Sequence, residues 1–398
     1  VKLNLNHRTA ISTTVTAIVV IVIILIAAGA AILIAPSLTG KSTTSSTTTS
    51  STTSSTTTSS TTSSTTTSST NATQVLINNA KAEGSMTIYG LVGQSQMTPL
   101  ITAFQQAYPW AKVSYVSYAS GDLLNKVLAE EKAGAPKADV VQILLAQVST
   151  LENASALQQW CNPELKAMGY AAAFVDPNCY YNPFTGNLAL VMYNTNMVKN
   201  ASTLPQSWAA FANPQYKGQF AIDNPTRLST AGTIFASLGE NETYSQWISF
   251  LNAVKANQPL LTSSLGTLYT DVSTGQAAFG IDTTDDAIQG VASGAPIAYY
   301  WLNPIYVGYF PYAIEKGDAN PYMAELWLTW IASMQGQLAT GAIGRLPLLQ
   351  AAAEQTFYKN ITVPIPSGYS YLTQGDAHFF ANITGYSTVY TQIFGPVA

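Results

Sequence analysis

"SMTIYGLVGQSQMTPLITAFQQAYP", Ser85 to Pro109, changes its period halfway along. Met86 and Ile88 alternate with smaller residues, and the run stops at Gly90. Alternation with period two predicts a strand. Beyond it, Met97, Leu100, Ile101 and Phe104 fall on one helix face, and Pro109 follows the end. The same change recurs downstream. "AKVSYVSYA" predicts a second strand, "SGDLLNKVLAEEKAG" a second helix N-capped by Ser120 with Asp122 in its first turn, and "ADVVQILL" a third strand. A β-α-β-α-β order predicts a parallel sheet covered by helices, an α/β fold.

Working outward, "NLALVMYNTN" and "AAFGID" predict further strands. "STAGTIFASLG", "ETYSQWISFLNAVKAN" and "ANPYMAELWLTWIAS" predict helices, the last with Pro321 at its first position. The stretch "GYAAAFVDPNCYYNPFTGN" reads as a loop. Cys161 and Cys179 flank or fall in it and would pair in an oxidising compartment, the alternative being two buried thiols.

Upstream, "VTAIVVIVIILIAAGAAILIA" (Val15–Ala35) carries no charge. At ~1.5 Å per residue it is long enough for a ~30 Å hydrocarbon core. Lys2, His7 and Arg8 precede it, which places the N-terminus in the cytoplasm. A cleaved signal peptide is the alternative, although its apolar region is usually ~7–15 residues. "KLNLNHRTA" followed by "ISTTVT" resembles the pilin-like signal peptides of archaeal surface proteins, which would be trimmed near Ala10. Next come three copies of TTSSTTTSS between Thr43 and Ser69. Ser and Thr bury too little apolar area to offset chain entropy, so an unfolded, O-glycosylated stalk or a plain linker is expected. The expected divisions are 1–14 leader, 15–36 anchor and 37–74 stalk.

Six N-x-S/T sequons, at Asn71, Asn153, Asn200, Asn241, Asn360 and Asn382, fit a glycosylated domain outside the cell. Charged residues make up 9% of the chain. Ordinary globular proteins carry ~25%. The formal net charge of −4 leaves no basic footprint and argues against a nucleic-acid partner. A surface of hydroxyls and amides suits an acidic exterior.

Seven segments then give a resemblance. In order they are "GSMTIYG", "PLITAFQQAYPWAKVSY", "SGDLLNKVLAEEKAGAPKADVV", "LALVMYNTNMV", "LPQSWAAFANPQYKGQFAIDNPT", "VSTGQAAFGI" and "GDANPYMAELWLTWIASMQGQ". Together they resemble the extracellular solute-binding proteins of ABC importers, in the branch of ferric-iron, thiamine, polyamine and phosphonate binders. The resemblance implies a type II, two-lobed fold: 84–186 with 298–334 as the first lobe, 187–297 with 335–398 as the second. It also implies a small-molecule solute held between the lobes, and ABC permease and ATPase partners at the cell surface. No cofactor is called for.

In such a sheet, ligands meet the carboxyl ends of strands and the N-termini of helices. That selects Gly93, Gln94 and Ser95; Ser120 and Gly121; and Thr226, Arg227, Ser229 and Thr230. Each hydroxyl has simple helix capping as its alternative. Arg227 has the chemistry to clamp an oxyanion or to make a structural ion pair, while Arg345 reads as structural. Thr284, Asp285 and Asp286 follow the strand "AAFGI". Ferric-binding relatives carry an adjacent tyrosine pair where Asp285 and Asp286 stand, and a histidine near Gly93, so tyrosinate-bound iron is disfavoured. The two acids suit an ammonium or hard cation, or else cap a helix. Tyr300 in "AYYWLNPIY", and Tyr193, offer aromatic faces for a ligand or serve as strand residues.

No G-x-S-x-G, H-E-x-x-H, Walker A or strand-following G-x-G-x-x-G motif occurs. A binder rather than an enzyme is expected. A pilin-anchored structural subunit and a carboxylate-pair glycosidase are the alternatives.

Overall fold

A computed structural model describes residues 65–396 apart from 163–164, 166–167, 171–174, 228, 241 and 374–381. The segments read from the sequence as leader, anchor and most of the stalk lie outside the described residues, as does Asn241. None of the described helices is long and apolar enough to cross a membrane.

Among the described residues twelve strands form: β1 Ser85–Gly90, β2 Lys112–Ser117, β3 Val140–Gln142, β4 Leu157–Gln158, β5 Asn182–Asn194, β6 Phe220–Asp223, β7 Leu260–Thr262, β8 Phe279–Thr283, β9 Ile297–Tyr300, β10 Ile305–Glu315, β11 Leu346–Pro347 and β12 Tyr371–Thr373. The periodic stretches Ser85–Gly90 and Gln94–Ala107 become β1 and the helix after it, as the change of period requires. The first half of the chain builds β1 flanked in parallel by β2 and β3, with β10 antiparallel to β3. The second half repeats the plan: β6 is flanked in parallel by β7 and β8, and β5 runs antiparallel to β8. The result is two α/β lobes of one design.

β5 belongs to both. Its residues up to Leu188 pair with β10, and Ala189 to Tyr193 pair with β8. The sequence reading started this strand at Asn187 and placed a loop before it. Pairing with β10 carries the strand back to Asn182, and a register shift between Phe310 and Pro311 accommodates the prolines there.

Each lobe has an aromatic core. In the first, Phe104 makes edge contacts with Trp327 and Trp330 at 5.1 and 5.3 Å. In the second, Phe211, Phe220 and Phe279 pack together, and Trp247 meets Tyr386 and Tyr390 of the helix Ile383–Phe394. Burying one such ring is worth ~1.5–3 kcal/mol, which is why these positions fix the helix faces. The first core continues along β5 through Leu190 and Met192 to Leu268 and Ile288, so the lobes share apolar contact on the hinge side.

Two boundaries differ from expectation. The helix Thr65–Glu83 begins inside the expected stalk and seats Ala80 in the first core. Glu83 then caps the helix Pro321–Ala332, accepting from the backbone N–H of Tyr322 and Met323 at 3.3 and 2.7 Å. The segment after 334, assigned by the resemblance to the second lobe, starts in the first: β11 pairs with Gly186 and Thr185 of β5, and Gln337 donates to the Phe184 carbonyl. Among the described residues after 334, the final helix is what returns to the second core.

Cys161 and Cys179 form a disulfide, the pairing read from the sequence. Asn153, Asn200 and Asn360 are exposed, and Asn382 is half-buried at the start of the last helix.

Candidate functional site

The carboxyl ends of β1 and β8 face one another between the lobes, each followed by a helix. From the first lobe comes Gln96, in the opening turn of the helix Gln94–Ala107. From the second comes Asp286, in the opening turn of the helix Thr284–Ala292. Gln96 Nε2 donates to Asp286 Oδ1 and bridges the lobes. A second bridge, on the rim, joins Arg227 to Asp122 at 3.5 Å.

Behind Asp286 lies a buried carboxyl group. Asp282 accepts from the Thr283 N–H through Oδ1 at 2.7 Å. Its Oδ2 is buried without a hydrogen-bond donor, and its carboxyl interacts with that of Asp286. Burial, reinforced by the neighbouring acid, pushes Asp282 well above the carboxylate range. Burial and the Asp285 charge push Asp286 up to about 7. Two acids placed this close in a buried site hold a proton more readily than either would alone.

Asp285 does not join Asp286 in facing the cleft. It accepts from Thr283 Oγ1 at 2.8 Å and pairs with Arg345 Nη1 at 2.8 Å, both side chains being buried. This corrects the reading of two adjacent acids waiting for one cation. Thr284 is likewise buried, its hydroxyl accepting from the Leu188 N–H. Among the described residues no cluster of His, Cys, Asp or Glu is arranged to hold a metal ion.

The other expected residues divide. Gly93 is the N-cap of its helix, and it, Gln94 and Ser95 are exposed. The bridging residue is the next one, Gln96, which sequence reasoning missed. Ala119, not Ser120, is the N-cap of the helix Ser120–Ala133, and Gly121 is half-buried in its first turn. The helix Thr230–Gly239 presents no free N-terminus to an anion, because the chain plugs it with its own carboxylate. Asp223 accepts from Thr230 N and Ala231 N at 2.8 and 2.9 Å. Burial nevertheless holds Asp223 up at about 6 against these bonds. Ser229 caps the same helix, and Thr226 bonds Asn224 Oδ1. Both are local turn formers, the alternative weighed for them. Arg227 alone of this group reaches across the lobes.

Tyr193 and Tyr300 pack on each other at 6.2 Å, and Tyr300 donates to the Pro205 carbonyl. Tyr193 pairs with Phe279, three positions along β8 from Asp282. At ~3.3 Å per residue that is about 10 Å from the acidic pair. They are strand residues of the second lobe. An open depression of about 690 Å³ lies at that same end, lined by Met197, Lys199, Tyr216 and Gln276 among others. It holds no buried charged side chain and lies apart from the inter-lobe groups.

Comparisons with known proteins bear on the fold and the family. The model of the family "Bacterial extracellular solute-binding protein" matches residues 91–338, more than half of the chain. An uncharacterised protein of Haemophilus influenzae is 23% identical over 284 residues, covering 65% of this chain and 76% of its own. Among solved structures, the periplasmic binding protein AfuA from Actinobacillus pleuropneumoniae, with fructose-6-phosphate bound, superposes with a TM-score of 0.67 at 20% identity. It covers 79% of this chain and 99% of its own. The apo ferric ion-binding protein A of Pasteurella haemolytica gives 0.62 at 15% identity, covering 78% and 98%. At these identities the superpositions establish the fold, and the family match establishes the membership. The chain belongs to the bacterial extracellular solute-binding protein family.

Proposed function

We propose that this protein captures a small polar or charged solute between its lobes and delivers it to the permease and ATPase of an ABC importer. It acts as a binder and catalyses no reaction. The observation that carries this reading is the pair of like-built lobes joined through β5, with Gln96 and Asp286 meeting at the strand ends. Such contacts form on closure and break on opening, the two states a transporter distinguishes. The family match and the binding proteins among the solved neighbours support the same role. The uncharged run at 15–36 serves as a membrane anchor, and the Ser/Thr repeat spaces the lobes from the cell surface.

The test is a thermal-shift and small-angle scattering screen of the full chain against sugars, organic acids, phosphate esters, amines and metal ions. A cognate solute at a hundredfold excess over Kd adds ~2.7 kcal/mol of stability and contracts the particle. A chain that answers to no class of solute in either measurement is not a solute receptor.

A further inference from the structure

Resting on that reading, we propose that the solute carries a carboxylate or phosphoryl group, held by two hydrogen bonds on the open edge of Arg345. Arg345 is 2% exposed. Its Nη1 is tied to Asp285, and its guanidinium carbon lies 4.3 Å over the centre of the Phe310 ring. The other two nitrogens, Nε and Nη2, are buried and have no hydrogen-bond partner. These two lie side by side on one edge of the planar group, the fork that matches two oxygens of a carboxylate or phosphate. A donor of a charged group left unmade in the interior costs ~1–3 kcal/mol or more, and an oxyanion in that fork removes the penalty.

Position supports the assignment. The loop carrying Arg345 runs from a helix packed on the first lobe and touches the first turn of a second-lobe helix. Gly344 makes the approach possible: it sits at φ +80°, and a Cβ there would lie 3.0 Å from the Asp285 carbonyl oxygen. Beside it, Gln142 spends its amide N–H on Tyr312 at 2.7 Å and leaves Oε1 buried and unpartnered. Phe310, under the guanidinium, and Tyr312, the partner of Gln142, lie two residues apart on β10, and the Arg345 charge reaches Tyr312 and Tyr115. Gly90 leaves room for both neighbours, since a Cβ at that position would lie 2.7 Å from the Tyr115 hydroxyl and 3.1 Å from Gln142 Oε1. The recognition pattern is an oxyanion next to a hydroxyl or ammonium donor. The edge is closed to solvent here, so a solute reaches it only when the lobes part.

The experiment uses matched triplets: glycerol, glycerate and glycerol 3-phosphate; glucose, gluconate and glucose 6-phosphate. Melting temperature and calorimetric affinity are measured on the full chain, together with spectra of ¹⁵N-arginine-labelled protein. Only Arg8, Arg227 and Arg345 contribute signals. Expected is binding at least tenfold tighter for an acid or ester than for its neutral parent, with the Arg345 Nε–H signal moving on addition. Which of the two members binds identifies the group. Arg345→Lys keeps the charge, loses the fork and weakens binding at least tenfold. Should that variant fail to fold, Arg8→Lys with Arg227→Lys leaves the Arg345 signal alone in the spectrum, and its movement decides. Binding of neutral or cationic probes with a motionless Arg345 signal overturns this inference while leaving solute capture standing. The absence of binding by any class of solute overturns both.

Discussion

Arg345 Nη1 donates to Asp285 Oδ2 across 2.8 Å, and both side chains are buried where the lobes meet. Removing one member strands the other. Asp285→Ala is expected to lower stability by ~3–5 kcal/mol, because a guanidinium loses its counter-charge in the interior. Urea unfolding midpoints at constant slope check this. A loss below ~1 kcal/mol would mean that water reaches the pair.

The bridge from Gln96 to Asp286 holds the lobes together more than it holds either lobe folded. With Asp286 ionised, above about pH 7, such a hydrogen bond is worth ~1.5–3 kcal/mol, enough to shift a closed-to-open ratio at least tenfold. Gln96→Ala should expand the particle in small-angle scattering with little change in melting temperature. Arg227→Ala, on the exposed rim, should do less and only at low salt. Identical scattering for wild type and Gln96→Ala would rule out a latch.

Stability is expected to peak in acid. Burial raises Glu315 to about 8, Asp318 and Asp286 to about 7, and Asp223 to about 6. Unfolded, such groups titrate near pH ~4. Between these values the folded chain holds protons the unfolded chain has released, so stability falls as pH rises. The contribution is complete near pH ~4 and lost through about 6 to 8. Melting temperatures at pH 4.5 and 8 check the sign, and a higher value at pH 8 would refute it.

Glu315 offers a sharper version. It is fully buried, accepts only from Ala138 N at 3.1 Å, and leaves Oε1 without a partner in the company of Glu130 and Asp139. Glu315→Gln mimics the protonated acid. It should raise the melting temperature at pH 8 and leave it unchanged at pH 4.5. An equal effect at both pH values would point to packing instead.

The Cys161–Cys179 bridge closes a loop of 18 residues. Restricting an unfolded chain over that distance is worth ~3 kcal/mol. Cys161→Ser with Cys179→Ser should lose about that much by denaturant titration, with the fold retained by the two cores. Unfolding at room temperature would show that the loop organises the first lobe.

How much of this was legible beforehand depended on period. Ser85–Gly90 and Pro321–Ala332 are long enough for alternation or helical spacing to declare them. β11 has two residues and no period, so nothing local assigns it to the first lobe. The site was legible as a place rather than as a set of residues. Strand ends and helix starts pointed to a candidate cleft, yet Gln96, Asp223 and Arg345 act through partners 190, seven and 60 positions away. Only Asp223 left a nearby trace, an acid closing a strand shortly before a helix start. The hydroxyls at Ser229 and Thr226 fit capping equally well, and capping is what they do.

The helix Thr65–Glu83 grips one lobe only, through Ala80 and the cap that Glu83 provides. Any pull transmitted along the polypeptide from upstream therefore enters that lobe and stops there. On the anchoring proposed above, the other half swings on β5 free of the tether, so drag on the stalk loads one jaw and leaves the hinge unstrained.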